Sequence, residues 1–214
     1  RGPNTTAGTL TMTSLTVNSG GTVNLYRDKS EAGDSITMTT LTVNSGGIMN
    51  LYGNPAVVNA AAGGTAGTPY GAGPVINSTT ITVAAGGSIN ADGKGFGAAS
   101  GPGKGILNGT STQGSGGGSG GNGGNTADGT VGGSAYGSSI VPTALGSGGA
   151  DGVGFGGGAI KLDVTGTLTV SGTLSANGAN STSTAFGGGA GGSIWLIAGT
   201  VDGITGTISA NGGT

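Results

Sequence analysis

LTMTSLTVNSGGTVNLY (10–26) and ITMTTLTVNSGGIMNLY (36–52) are one phrase written twice, 26 positions apart. A third copy, VINSTTITVAAGGSINADG, covers 75–93, and shortened ones follow as LTVSGTLSANG (168–178) and ITGTISANGG (204–213). Self-similarity of this kind marks stacked units that share one continuous core.

In each Leu-Thr-Val the two apolar residues lie two apart, so they share one strand face and Thr takes the other. This rule makes a core ladder of Leu15, Val17, Leu41, Val43, Ile81, Val83, Leu168 and Val170, with Thr16, Thr42, Thr82 and Thr169 outward. Alternation resumes after a corner in Val23/Leu25, Met49/Leu51, Ile89/Ala91, Leu174/Ala176 and Ile208/Ala210. The corners are NSGG (18–21 and 44–47), AAGG (84–87) and a contracted SG (171–172), residues that tolerate a sharp reversal. The expected fold is all-β: a parallel β-solenoid of very short strands, its rungs about 4.8 Å apart. Helix is nearly excluded, because no 3.6-residue period occurs and glycine disfavours helix interiors.

At 214 residues the chain reads as one domain, 1–214. Two stretches interrupt the rhythm: 54–73, and a glycine-rich insert at 93–158 whose centre reads GSGGGSGGNGGNTADGTVGG (114–133). One reading of the insert is a mobile Ser/Gly linker. The other is an ordered lateral layer of extended, polyproline-II-like segments, which glycine allows to approach closely. The apolar phrase YGSSIVPTAL (136–145) could anchor such a layer and favours the second reading.

Glycine and proline make up 55 and 6 of the residues, yet only 7% are charged and the phrases alternate, so neither disorder nor collagen fits. The net charge of −2 and six scattered basic residues leave no stripe for nucleic acid. Cys and His are both missing, which removes thiol chemistry, thiolate metal sites and the base of any catalytic triad. No apolar run reaches the roughly 18 residues of a membrane span. Residue 1 is Arg rather than Met, so a processed or excised chain is expected.

YGSSIVPTALGSGG (136–149), GGGAIKLDVTGTLTVSGTLSANG (156–178) and GGGAGGSIWLIAGTVDGITGTISANGG (187–213) resemble glycine-rich repeat segments of very large bacterial and archaeal surface proteins. Such segments are described as adhesin-like or matrix-like. The resemblance covers roughly 81–214 and implies a β-helix at the cell surface or outside the cell. Related segments often carry His in the glycine tract; this chain has none, so no metal role carries over.

Single-stranded β-helices can be polysaccharide lyases or hydrolases, so the carboxylates matter. Only Asp28, Glu31 and Asp34 cluster, in RDKSEAGD (27–34), which reads as a solvated corner. A glycosidase needs two acids at a set spacing. Calcium would want a D-x-D-x-D-G loop or GGxGxD repeats, and GGADGVGFG (148–156) is a poor approximation. No cofactor and no catalytic centre are therefore expected. The glycine tracts lack the strand, helix and Lys of a nucleotide site. Paired T-x-T (11–13 and 37–39) resembles an ice-binding array, but Thr suits any exposed strand. The four N-x-S/T sequons, at Asn4, Asn77, Asn108 and Asn180, are no more than an Asn-, Ser- and Thr-rich chain produces by chance.

Three aromatic residues stand out as surface-contact candidates. Tyr26 and Tyr52 are repeat-equivalent and should stack, offering a face to glycans; Trp195 alternates against Ile194 and Leu196 and should be partly exposed or buried at an interface. The expected function is that of a non-enzymatic extracellular structural protein that polymerises through its terminal coils into a fibre or sheath, or forms a stalk. An adhesin or phage-fibre-type module that binds a cell-surface or matrix glycan is the alternative, and a polysaccharide-acting enzyme is third.

Overall fold

The computed structural model describes residues 9–28, 35–65, 68–150 and 152–214. Eleven strands are present among them: β1 (Thr9–Thr11), β2 (Ser14–Val17), β3 (Thr22–Tyr26), β4 (Ser35–Val43), β5 (Ile48–Tyr52), β6 (Val75–Val83), β7 (Ser88–Asn90), β8 (Ala159–Val170), β9 (Thr173–Ser175), β10 (Ser193–Ile204) and β11 (Thr207–Ser209). Helical content among the described residues is one 3-10 turn, Ala60–Ala62.

The strands form two sheets in which every pairing is parallel. The first runs β1-β4-β6-β8-β10, with β2 also on β4, and the second runs β11-β9-β7-β5-β3. Each repeat phrase thus supplies one strand to each sheet, or in the first phrase the two short strands β1 and β2 to the first sheet, making a rung, and five rungs stack. The first-sheet strands are longer than the alternation alone suggested, reaching twelve residues in β8 and β10. Bulges between Ser78 and Thr80, and between Ala198 and Thr200, absorb extra residues so that pairing resumes beyond them.

Register explains the repeat. Leu15, Leu41, Ile81, Leu168 and Val201 align across the first sheet, as do Val17, Val43, Val83, Val170 and Ile204. Val23, Met49, Ile89, Leu174 and Ile208 align across the second. The two sheets turn these columns toward each other in one core, where Leu41, Val43, Ile81, Val83, Leu168 and Val170 are wholly buried and Val17 nearly so. Leu15, on the outermost rung, is half-buried.

Corners make this stacking periodic. Gly21 donates to the Asn18 carbonyl (2.8 Å), Gly47 to Asn44 (2.9 Å) and Gly87 to Ala84 (2.8 Å), closing the same tight turn three times. Its third residue sits at φ +75°, +73° and +80° in Gly20, Gly46 and Gly86, a region in which a side chain is strained. Between rungs, Asn44 Nδ2 donates to Asn18 Oδ1 and Asn50 Nδ2 to Asn24 Oδ1, both at 2.9 Å.

Val43 and Thr42 are neighbours at the C-terminal end of β4, one wholly buried and one on the outer face. Val43→Asp places a carboxylate in the core and removes about 1.5–3 kcal/mol of burial as well. It should abolish cooperative unfolding in denaturant titration, whereas Thr42→Asp should shift the midpoint only slightly. Equal damage from both would contradict the facing.

Candidate functional site

Two kinds of surface could carry function: side chains projecting from the outer faces of the sheets, and the glycine-rich layer beside them. On the second sheet, Tyr26 and Tyr52 stack with ring centroids 4.4 Å apart and planes 14° from parallel. Register places them there, since they close β3 and β5 at aligned positions. Tyr26 is 68% exposed, so one ring face is held by Tyr52 while the ring stays open to solvent. Lys94 Nζ lies 5.3 Å from the Tyr52 centroid and also donates to the Asp92 carbonyl (3.2 Å). Burial lowers the Lys94 pKa, and the Asp92 charge partly offsets it.

Trp195 is half-buried on the outer face of β10, with Lys161 Nζ 4.4 Å from its ring centroid. The two residues are register partners on β10 and β8, which places the cation over the ring. Beside them is a cavity of about 180 Å³ that Arg27, Val75 and Thr143 help to line. Trp195 belongs to the first sheet and the tyrosine pair to the second, while Arg27, next to Tyr26, lines the same cavity as Trp195.

Of the acidic trio, Asp28 is exposed, while Glu31 and Asp34 lie outside the described residues. Among the described residues no group of three His, Cys, Asp or Glu is placed to hold a metal ion, and no helix is long and apolar enough to cross a membrane.

The glycine-rich stretch is tied down largely by backbone hydrogen bonds, with a few side chains adding to them. Gly95 donates to Gly156 (2.8 Å), Gly156 to Phe96 (2.9 Å), Gly146 to Gly157 (2.8 Å), Gly157 to Ala190 (2.9 Å) and Ala190 to Ser147 (2.8 Å). The most glycine-dense part is bonded as well: Gly114 to Ala185 (3.0 Å), Gly117 to Gly188 (3.0 Å), Gly118 to Gly103 (2.7 Å) and Gly133 to Gly116 (2.9 Å). Segments distant in sequence are thereby knitted to residues 185–190, which lead into β10. Among the described residues of 91–158 there is no strand, and the pairing present is in isolated bridges such as Leu107 to Gly114.

Absence of side chains makes this packing feasible. A Cβ on Gly156 would meet the Gly146 carbonyl closer than 3.0 Å, and one on Gly192 would meet that of Gly158 in the same way. At Gly120, Gly121 and Gly124 a Cβ would meet nothing within 4 Å, so those glycines face open space.

Anchors come from the phrase at 136–149. Leu145 is wholly buried with Phe96 and Ala159 in a second small core, and its N–H donates to the Tyr70 carbonyl (3.0 Å). The Tyr136 hydroxyl donates to the Leu145 carbonyl and accepts from the Ser147 hydroxyl (2.9 Å). Burial pushes the Tyr136 phenol up to about 12, partly opposed by its hydroxyl partner Ser147. Its ring meets Tyr70 edge-on at 4.9 Å. Nothing in local composition marked Tyr70 as the second half of this clamp, since it comes from the other interruption of the repeat.

One exposed loop has an unusual acid. The Asp128 carboxylate accepts from the Thr126 hydroxyl, from Asn108 Nδ2 (2.7 Å) and from the Thr130 N–H (3.2 Å) and hydroxyl (3.1 Å). These donors, Thr126 first and Asn108 next, hold its pKa at about 2.

Comparison with protein-family models, with curated proteins and with solved structures finds no match.

Two expectations follow. Gly156→Ala should cost about 1–3 kcal/mol through overpacking, read as a clear loss in melting temperature, while Gly121→Ala should leave it nearly unchanged. For the Asp128 loop, the folded pKa lies below the ordinary carboxylate value, so its contribution is present above that ordinary value and disappears as pH falls through about 2. The Asp128 carboxyl carbon shift, followed by NMR, should therefore titrate near pH 2; a midpoint at the ordinary carboxylate value would contradict the assignment.

Proposed function

We propose that this is a non-enzymatic structural protein of the cell surface or extracellular material: a parallel β-solenoid whose two sheets are walls of one coil, flanked by a polyproline-II-like glycine layer. In this reading copies join end to end into a fibre or sheath. The observation that carries it is where the inward ladder stops being covered. On the inner rungs those columns are wholly buried, but on the fifth rung Val201 is 55%, Ile204 46% and Ile208 39% exposed, and on the first Leu10 is 55% exposed.

Uncovered ends of this kind join two liabilities. Apolar residues belonging to a core column face water, and each outermost strand offers unpaired peptide groups on one side. A stack that continues across the boundary, through a neighbouring copy or through more of the same chain, relieves both at once. The glycine layer widens the stack, and the absence of Cys leaves cohesion to hydrogen bonding and packing.

A second reading, a glycan-binding module, is favoured by one observation: the Tyr26–Tyr52 stack projects an exposed ring from the second sheet. Carbohydrates pack their C–H faces on such rings, and the assembly reading does not exclude that use.

Negative-stain microscopy and sedimentation velocity test the assembly reading. Filaments are expected, lengthening with concentration. Ile208→Lys should shorten or abolish them with little change in circular dichroism, because Ile208 closes only the outermost rung. Monodisperse monomers at millimolar concentration, in chains of the full sequence, would refute assembly.

A further inference from the structure

The outer face of the first sheet carries a column that neither the core ladder nor the glycine layer explains. Val75, Lys161 and Trp195 are register partners on β6, β8 and β10. Each alternates with residues packed into the core, Ile76, Leu162 and Leu196 among them, so all three turn outward. A valine, a cation and an indole side by side form the floor of the cavity of about 180 Å³.

The two interruptions of the repeat supply its walls. Asn59 and Ala61 come from the first and Val141 and Thr143 from the second, and all of them line the cavity. The walls are tied together: Asn59 Nδ2 donates to Thr143 Oγ1 (2.9 Å) and to the Gly71 carbonyl (3.1 Å), and Asn59 Oδ1 accepts from the Ala62 N–H (3.3 Å). Their amide and hydroxyl groups are thus engaged within the walls. What remains for an occupant is apolar surface and charge.

That charge has one sign. Arg27 and Lys161 line the cavity, and among the described residues lining it none is acidic; Asp163, the next outward residue of β8, is not one of them. Among the described residues the Lys161 ammonium has no hydrogen-bond or ion-pair partner, and its contact is the Trp195 ring, 4.4 Å away. A cation seated on an aromatic face keeps its N–H donors for an anion. Arg27 is only 7% exposed, and its planar fork matches a carboxylate. At about 180 Å³ the cavity is well below the roughly 300–1,000 Å³ of a drug-sized site, which limits the occupant to one ring.

We infer that this cavity binds a small organic carboxylate built on one apolar ring, its carboxylate directed at Lys161 and Arg27 and its ring against Trp195 and Val75. A sugar acid brings the same carboxylate, but its hydroxyls need partners, and Asn59 and Thr143 have already given theirs to each other. The site needs neither assembly nor the Tyr26–Tyr52 stack.

Trp195 is the sole tryptophan of the chain, so its emission reports occupancy directly. Full-length protein titrated with phenylacetate should show a saturable emission change with a dissociation constant of about 1–10 mM, in keeping with a ligand of about ten non-hydrogen atoms. Uncharged 2-phenylethanol and the polar-ringed galacturonate should each bind at least about tenfold more weakly. Lys161→Met should weaken phenylacetate about tenfold, whereas Lys104→Met, at an exposed lysine outside the cavity, should leave it unchanged. Should loss of Lys161 disturb the fold, Ala61→Phe fills the cavity from an exposed wall position and should abolish the emission change with both cations in place. The site is overturned by the lack of a saturable change in the unaltered chain, or by undiminished binding in folded Lys161→Met or Ala61→Phe protein. Equal affinity for 2-phenylethanol, or tighter binding of galacturonate, would overturn the ligand class.

Discussion

The parallel, in-register backbone ladder is the constraint on which everything else in this protein rests. Once each strand pairs with the equivalent strand one rung away, every side chain has its own counterpart as neighbour. Apolar columns such as Val17-Val43-Val83-Val170 become a core without any single large residue. Polar columns become Asn and Thr ladders on the outside, where Asn18 reaches Asn44 and Asn24 reaches Asn50. The tyrosine stack obeys the same rule, because aligned rings at rung spacing have no other easy arrangement.

Beside this ordinary use of side chains stands a second mode of cohesion that avoids them. In the glycine layer, backbones come close enough that a methyl group at Gly156 or Gly192 would collide with a carbonyl. Each net backbone hydrogen bond stabilises by only about 0.5–1.5 kcal/mol, so order here depends on many of them acting together. Tyr70, Tyr136 and Leu145 connect the two modes: the tyrosine rings meet edge-on, the Leu145 N–H donates to the Tyr70 carbonyl, and Leu145 packs with Phe96 and with Ala159, the first residue of β8. The described residues of 93–158 are thus bonded backbone to backbone, among themselves and to residues 185–190.

Periodicity made much of this legible in the chain. Leu-Thr-Val followed by a glycine corner states which residues face inward, and Thr42 beside Val43 takes opposite faces for that reason alone. Bulges were not legible, because the extra residues in β8 and β10 look like ordinary strand text; only pairing to β6 and to each other shows where the count slips. Composition likewise gave no means to tell a bonded glycine from an idle one. Gly156 and Gly121 are the same letter in similar surroundings, and their difference lies in a carbonyl brought from elsewhere in the chain.

By itself, then, the sequence determined the local facts: strand faces, corner positions, the absence of thiol and imidazole chemistry, and the repeat that aligns like with like. Tertiary structure decided what depends on segments meeting across long separations. It put Lys161 over Trp195, paired Tyr70 with Tyr136, and drew Asn108 onto Asp128. The physical reason is that alternation and turn chemistry act within a few residues of chain, whereas contacts between distant segments, and the exposure of a terminal strand, exist only once the rungs are stacked.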